Sequence, residues 1–290
     1  MRKIELANTS EKIPILAQGT WGISGAFWKD KKYYDQWKKS LEKGIELGMT
    51  HIDTAEFYGH GKSEEVVGEI ISNHQRDELF ITSKLFPLHI REKTMKKAAE
   101  KSLKRLGIDH FDLYLIHWPN PFVSIKKQMK VLEDLVRNGR TRYIGVSNFS
   151  VDQFQKAQNY LNNEKLVNNQ LKANITDQKH LSKSLPYYQS EKITMSAYSP
   201  LGHSGYTDLS GETKEKISKV AKNHGATIQQ IAIAWLINHK NVFTIPKAFH
   251  TNHTIENAKA ADIKLSEHEI KLFYDNDKEK VEILNSFTTN

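Results

Sequence analysis

Three titratable residues follow strand-like runs at nearly equal intervals along the chain. Asp53 ends one such run, Lys84 follows the run 79–83, and His117 follows the run 111–116. The intervals between them are 31 and 33 residues, about one βαβ repeat of roughly 30 residues. Residues separated by whole repeats stand at the carboxyl ends of parallel strands, which meet at one mouth of a barrel. The spacing therefore predicts that these three side chains share a pocket.

The alternation of strand and helix recurs until eight units are complete. After a hairpin in residues 1–18, strand-like runs end near Gly19, Asp53, Lys84, His117, Ser147, Gln170, Tyr198 and Lys247. Helical patterns cover 34–47, 63–72, 94–106, 124–138, 151–161, 181–189, 215–223, 228–238, 255–261 and 266–274. We expect one domain over 1–290, an α/β protein with a (β/α)8 TIM barrel, an N-terminal β-hairpin and an extra C-terminal helix. Because no Gly-x-Gly-x-x-Gly follows a strand, the usual dinucleotide-binding fold is disfavoured.

Composition argues against several classes of site. The net charge of +8 is spread along 290 residues without a basic stripe, so we expect no nucleic-acid partner, although a positive bias suits a phosphate-bearing ligand. The chain has no cysteine, which excludes disulfides, thiolate nucleophiles and zinc-thiolate sites. Its start lacks the apolar core of a signal peptide, and no run approaches ~18 apolar residues. We expect a cytoplasmic protein without membrane contact, with the monomer as the default state.

A tyrosine beside the predicted pocket suggests what the charged residues do. Tyr58 stands five residues after Asp53, and a phenol with a pKa of about 10 donates protons poorly near neutral pH. An ammonium such as Lys84 lowers that pKa, and a carboxylate holds the lysine charged. His117 can hydrogen-bond the same substrate oxygen. This set can protonate a carbonyl oxygen, and the hydride for such a reduction must come from a cofactor.

These residues and their surroundings resemble the aldo-keto reductase family over nearly the whole chain. Asp53, Tyr58, Lys84 and His117 fall, in order, on the catalytic tetrad of that family. Further matching motifs are Gly19-Thr20-Trp21, His117-Trp118-Pro119, Gly145-Val146-Ser147-Asn148-Phe149, Tyr198-Ser199-Pro200-Leu201-Gly202 and Ile245-Pro246-Lys247. The resemblance implies a carbonyl reductase that carries NAD(P)H in an extended pose across the barrel mouth.

The resemblance also implies which residues hold the cofactor. Ser147, Asn148 and Gln170 would bind the nicotinamide carboxamide, and Tyr198 would stack on its ring. The remaining implied cofactor positions are Gly19, Thr20, Trp21, Ser199, Leu201, Gly202, Lys247, His253, Glu256 and Asn257. Trp21 and Trp118 would wall the substrate pocket, and no metal is expected.

The pattern leaves competing functions open. A metal-dependent barrel hydrolase would use His51, Asp53 and His117 as ligands, but the later strands offer no matching ligand set. A cofactor-bound regulatory subunit with little turnover is the closer alternative, since some relatives of this fold serve membrane channels. Residues 276–290 are the only added segment. Taken singly, Asp53 with Lys84 is also consistent with a structural ion pair.

The sequence departs from the family pattern at the positions that would bind the 2′-phosphate of NADP. Members that prefer NADP usually follow Ile-Pro-Lys with a serine and place an arginine six residues after the lysine. Here those positions hold Ala248 and His253. Lys247 remains as a point charge, while the bidentate fork of an arginine is lost. We expect NADP(H) to be preferred and NAD(H) to be tolerated.

The loops around the predicted pocket indicate only a broad class of substrate. The loop 118–123 is short, and the loop 202–211 holds polar Ser204, Tyr206, Thr207 and Asp208. A small polar aldehyde, ketone or sugar is therefore favoured over a steroid.

Overall fold

Eight parallel strands form a barrel at the centre of the protein. The computed structural model describes residues 1–23, 31–202, 204–206 and 209–274. A hairpin of β1 (Lys3–Glu5) and β2 (Lys12–Pro14) comes first. The barrel strands, each paired with the next in chain order, are β3 (Ala17–Gly19), β4 (His51–Asp53), β5 (Phe80–Leu85), β6 (Phe111–Ile116), β7 (Thr141–Ser147), β8 (Leu166–Lys172), β9 (Thr194–Tyr198) and β10 (Val242–Ile245).

The first and last barrel strands meet and close the sheet. Gly19 donates its N–H to the Pro246 carbonyl oxygen at 3.0 Å, and the Thr244 N–H reaches the Ile15 carbonyl oxygen at 3.2 Å. A Cβ at Gly19 would lie 3.1 Å from Cγ2 of Ile245, so a glycine suits this seam. The predicted (β/α)8 barrel and hairpin are confirmed.

Helices cover the outside of the barrel. They are α1 (Lys31–Glu46), α2 (Lys62–Ile71), α3 (Glu92–Leu106), α4 (Ile125–Arg137), α5 (Val151–Gln158), α6 (Lys179–Lys183), α7 (Leu185–Ser190), α8 (Gly211–Asn223), α9 (Ile228–Ile237), α10 (Thr251–Lys259) and α11 (Glu267–Lys271). Short 3-10 turns lie at Tyr58–Gly61, Arg76–Glu78 and Ala260–Asp262. None of the helices in the described ranges is both long and apolar enough to cross a bilayer.

Local sequence explains where several helices begin and end. The side chains of Ser124, Ser150, Thr227 and Ser266 each accept an N–H from the third residue of the helix that follows, which satisfies an otherwise unpaired donor. At 181–189 the predicted helix is split into α6 and α7, with Pro186 in the first turn of α7. Proline fits that position because it has no N–H to donate.

Some predicted boundaries were wrong. Ser63 does not cap α2, because the helix begins one residue earlier and its cap is Gly61 with φ of 91°. The buried Ser63 hydroxyl instead donates to Oγ1 of Thr20 at 2.8 Å. Helices α8 and α10 each begin four residues before the expected start, and α5 ends three residues early. The early turns of α8 and α10 are polar, so apolar periodicity does not mark them.

Two buried histidines lie away from the barrel mouth. Burial, with the charge of Lys84 adding to it, lowers the pKa of His51 to about 3. Burial also lowers the pKa of His239 to about 4, although hydrogen bonds to the Trp235 and Leu236 carbonyl oxygens oppose this. Both rings are therefore neutral in the folded protein at pH 5. In the unfolded chain they gain protons below about pH 6.5.

We predict that acid destabilises the protein in steps set by these rings. Below about pH 6.5 the unfolded state binds protons at these histidines and the folded state does not. The free energy of unfolding therefore decreases as the pH is lowered, by up to about 1.4 kcal/mol per pH unit for each histidine. The His51→Gln variant should lose one such contribution between about pH 6.5 and about pH 4. Urea unfolding at a series of pH values measures the slope.

The exposed His268 provides the control for this measurement. Urea unfolding of the His268→Gln variant over the same pH series gives the reference slope. An unchanged slope in His51→Gln would contradict the assignment of a neutral buried ring at that position.

Candidate active site

A fully buried lysine lies at the floor of the barrel mouth. Lys84, in β5, has a relative exposure of 0%. Its Nζ donates to Oδ1 of Asp53 at 2.5 Å, to the Thr54 carbonyl oxygen at 2.9 Å and to the Tyr58 hydroxyl at 3.3 Å. The ammonium has three protons, and each of them is donated to one of these three acceptors. Because the Tyr58 oxygen accepts from Lys84, its own O–H is available to another acceptor.

The surroundings keep this lysine charged. Burial alone would lower the pKa of Lys84, but the charge of Asp53 and the phenol of Tyr58 raise it above the ordinary value. Asp53 stands at the end of β4 and also accepts from Nε2 of Gln170 at 2.8 Å. An isolated buried ammonium is costly, whereas a paired and fully hydrogen-bonded one persists.

The pKa of the tyrosine moves in the opposite direction from our expectation. Burial raises the pKa of Tyr58, the charge of Lys84 opposes that rise, and Asp53 adds to it, so the net shift is upward. Lys84 therefore lowers the pKa of Tyr58 as predicted, but the effect of burial is larger and the net shift is upward. Lys84 offsets only part of the burial cost, and Tyr58 remains a neutral phenol that can donate a proton.

His117 faces the same cavity as a neutral ring. It follows β6, where its N–H is held by the Leu85 carbonyl oxygen at 3.0 Å. Its ring meets that of Tyr58 edge-on, with centroids 5.7 Å apart. Burial, with a further contribution from the Lys84 charge, lowers the pKa of His117 to about 3. Its buried Nδ1 has no hydrogen-bond partner within the described part of the chain.

One wall of the mouth is a hydrogen-bonded group of polar side chains. The Tyr198 hydroxyl donates to Oδ1 of Asn148 at 3.0 Å, and Nδ2 of Asn148 donates to Oγ of Ser147 at 2.9 Å. Ser147 in turn donates to the Gln170 carbonyl oxygen at 2.9 Å. Asn148 and Ser199 both adopt left-handed backbone conformations, with φ of 63° and 54°, at the points where the chain leaves β7 and β9.

These groups surround a cavity of about 370 Å³. Its rim is aromatic, since Trp21 and Trp118 are 57% and 46% exposed. The residues that line it are Gly19, Thr20, Trp21, Asp53, Phe57, Tyr58, His117, Trp118, Ser147, Asn148, Gln170, Tyr198, Ser199 and Ile245. The structure thus brings together most of the residues that the sequence singled out.

The other predicted cofactor residues lie outside this lining. Lys247 is exposed, and its Nζ would lie 3.5 Å from a Cβ placed on Gly22. His253 is exposed on α10 with its ring 5.6 Å from that of His250, and Asn257 is buried. The remaining predicted positions with no lining contact are Leu201, Gly202 and Glu256. Two polar loop residues, Thr207 and Asp208, and the segment 276–290 lie outside the described residues.

Sequence reasoning missed some pocket residues and misplaced one. Phe57 and Ile245 line the cavity, yet apolar residues beside a motif carry no signal that separates a pocket wall from the core. His51, considered as a metal ligand, instead bonds Thr82 through Nε2 at 2.8 Å. Within the described ranges, no group of three His, Cys, Asp or Glu side chains is arranged to hold a metal ion.

Comparison with known proteins finds one family over most of the chain. A sequence model described as Aldo/keto reductase family matches residues 16–275. The methylglyoxal reductase YeaE of Escherichia coli is 32% identical over 260 residues, which cover 90% of this chain and 89% of that protein.

Solved structures have the same architecture. A thermostable aldo-keto reductase in complex with the inhibitor epalrestat is 44% identical and has a TM-score of 0.88, with 94% of this chain and 98% of the other covered. An aldo-keto reductase from Klebsiella pneumoniae in complex with NADPH is 32% identical and has a TM-score of 0.84, with 94% of each chain covered.

We predict that the buried ion pair also stabilises the fold. The Asp53→Asn variant leaves the Lys84 ammonium without a carboxylate, which should lower the free energy of unfolding by about 3–5 kcal/mol. The Lys96→Met variant breaks the more exposed pair with Asp134 and should cost less than about 1 kcal/mol. Urea denaturation at neutral pH compares the two, and equal losses would contradict a special role for the Asp53 pair.

Proposed function

Because this chain belongs to the aldo/keto reductase family, we propose that Asp53, Tyr58, Lys84 and His117 perform its reaction. The protein is an oxidoreductase that reduces a carbonyl group to an alcohol with NAD(P)H. Tyr58 is the proton donor to the carbonyl oxygen, and His117 donates a hydrogen bond to the same oxygen. Lys84 and Asp53 support the phenol.

The observation that carries this proposal is the position of Lys84 between Asp53 and Tyr58. With Nζ 3.3 Å from the phenol oxygen, the ammonium stabilises negative charge that develops on that oxygen as its proton leaves. The same charge does little for the resting neutral phenol. Its effect is therefore larger in the transition state than in the ground state, which is the condition for catalysis.

The polar wall of the cavity has the chemistry to hold a nicotinamide. A carboxamide requires both donors and acceptors, and Ser147, Asn148 and Gln170 present hydroxyl and amide groups on one side of the cavity. The partly buried phenol ring of Tyr198 offers a flat surface beside them. When bound, NADP(H) supplies the hydride. Ser199, Leu201, Gly202, Glu256 and Asn257 would hold the rest of that cofactor.

We propose small aldehydes as the substrate class. The cavity of about 370 Å³ is at the lower end of the range of ligand pockets, about 300–1,000 Å³. The Escherichia coli relative is named a methylglyoxal reductase, and an aldehyde of that size fits the part of this volume that the nicotinamide leaves free. Trp21, Phe57 and Trp118 give the entrance apolar walls, while the polar groups lie deeper, at the floor and along the polar wall.

We predict that Tyr58→Phe removes the proton donor and leaves cofactor affinity nearly intact. Turnover of methylglyoxal should fall by about 10²–10⁴-fold, the usual contribution of a general acid. The Kd for NADPH should change little, because the hydroxyl is needed only when charge develops on the substrate oxygen. Loss of NADPH absorbance measures turnover, and quenching of protein fluorescence measures Kd.

A tyrosine outside the pocket provides the control. Tyr143 lies in β7 and is absent from the cavity lining, so Tyr143→Phe should retain wild-type turnover. If Tyr58→Phe keeps more than about a tenth of the wild-type kcat, the assignment of the proton donor is wrong.

We propose that NADP(H) is the preferred cofactor and that NAD(H) is tolerated. Lys247 is exposed beside the turn at Gly22, where its ammonium can attract a 2′-phosphate as a point charge. His253 occupies the position at which NADP-preferring relatives carry arginine. The neighbouring His250 shares a hydrogen bond with Gln36 through Nδ1, so His253 is the ring better placed to respond to a phosphate.

We predict that the preference for NADPH depends on pH and on residue 253. An imidazole changes charge within the range of pH 5 to 8, so the ratio of the Kd values for NADH and NADPH should fall as pH rises from about 6 to about 8. The His253→Arg variant should strengthen the free-energy preference for NADPH over NADH by about 1.5–3 kcal/mol, the contribution of a charge-assisted bond. Equal ratios at both pH values, together with no response to His253→Arg, would place this residue outside the cofactor site.

A further inference from the structure

Glu56 ties together two loops at the barrel mouth. It lies between Asp53 and Tyr58 in the loop after β4, and its side chain is 13% exposed. Its Oε1 accepts the backbone N–H of Phe86 at 2.6 Å. Nε2 of His89 lies 3.1 Å and 3.2 Å from its two carboxylate oxygens. One carboxylate therefore anchors both ends of the loop 86–89, which begins two residues after Lys84.

The anchored loop supports an aromatic wall of the cavity. Phe86 stacks under Phe57 with centroids 4.2 Å apart and planes inclined by 6°. Phe57 also stacks with Trp21, with centroids 6.2 Å apart and planes inclined by 21°. Of these three rings, Trp21 and Phe57 line the cavity, while Phe86 supports Phe57 from behind. Both phenylalanines also meet the His117 ring edge-on, at 6.4 Å and 6.3 Å.

A third loop holds the same segment from its far side. Nδ2 of Asn120, in the loop after β6, donates to the Pro87 carbonyl oxygen, and Oδ1 of Asn120 accepts the Phe122 N–H at 2.8 Å. The segment 86–89 is therefore held between Glu56 and Asn120. Phe86, the first residue of this segment, is the ring that stacks on Phe57.

We propose that Glu56 is a positioning residue that fixes the Phe57 wall and so sets the preference for carbonyl substrates with a planar aromatic group. This inference rests on the proposed carbonyl reduction and adds the substrate feature that the pocket selects. Phe57 and Trp21 are stacked on one another and Phe57 also on Phe86, so a flat ring bound above the floor gains edge-to-face contacts with the exposed parts of Phe57 and Trp21. A small aliphatic aldehyde reaches Tyr58 and His117 without needing that wall.

The experiment compares benzaldehyde with methylglyoxal in two variants at residue 56. Glu56→Ala removes the acceptor for the Phe86 N–H and releases the loop. The KM for benzaldehyde should rise about five- to tenfold, as expected from the loss of one aromatic contact. The kcat for benzaldehyde and the KM for methylglyoxal should stay within about twofold of the wild type. Glu56→Gln retains an acceptor for the Phe86 N–H and should restore most of the benzaldehyde KM.

A second pair of variants tests whether Phe57 carries the effect. Phe57→Leu should raise the benzaldehyde KM without disturbing the carboxylate. Glu56→Ala combined with Phe57→Leu should add little to that increase, because both changes remove the same contact.

A matched control separates this effect from general destabilisation. Glu133 accepts the Asn162 N–H at 2.6 Å, in the loop before β8 and so at the opposite end of the barrel. Glu133→Ala should change the melting temperature to a similar degree and leave both KM values unchanged.

The proposal is overturned if Glu56→Ala raises both KM values alike, lowers kcat with KM unchanged, or is matched by Glu56→Gln. Calorimetric Kd values for benzoate and acetate test the wall without turnover. In Glu56→Ala the benzoate Kd should rise about five- to tenfold and the acetate Kd should not. Failure of the wild type to oxidise NADPH with either aldehyde contradicts the proposed function. An unchanged benzoate Kd in Glu56→Ala contradicts the role of Glu56.

Discussion

The site depends on keeping one positive charge out of water. Lys84 is fully buried, and such a charge is stable only when each of its protons has an acceptor. Asp53, the Thr54 carbonyl oxygen and Tyr58 provide those acceptors. Because β5 carries the lysine while β4, the residue after it and the following 3-10 turn carry the three acceptors, the arrangement exists only when the barrel is complete at this point. The fold and the chemistry therefore share the same interaction.

The sequence predicted the architecture well because a barrel of parallel strands has a strict period. The intervals from Asp53 to Lys84 and from Lys84 to His117 predicted that all three lie at one mouth, and in the structure Asp53 and His117 line the cavity while Lys84 bonds Asp53. Helix starts were predicted where apolar periodicity and a cap coincide, as at Ser124. They were missed where the first turn is polar and exposed, as in α8.

The rest of the site depends on burial and on contacts between loops, which sequence spacing does not contain. The upward pKa shift of Tyr58 follows from how dry the cavity floor is. Phe57 acquires its place in the wall from Phe86, a residue of the next loop. The sequence predicts Ser63 as a helix cap, but its buried hydroxyl donates a hydrogen bond to Thr20. Each of these depends on partners about 30 or more residues away, or on a depth that composition does not reveal.

The hydrogen bond between Gln170 and Asp53 has a consequence for how such a protein can diverge. Gln170 belongs to the polar wall, and Asp53 holds the buried lysine. A substitution at Gln170 that remodels the wall therefore also removes a donor from the carboxylate that fixes Lys84. Substitutions in the polar wall and in the Asp53–Lys84 pair are therefore coupled. Residues of the rim and the outer loops, which do not take part in this hydrogen bond, can be substituted independently.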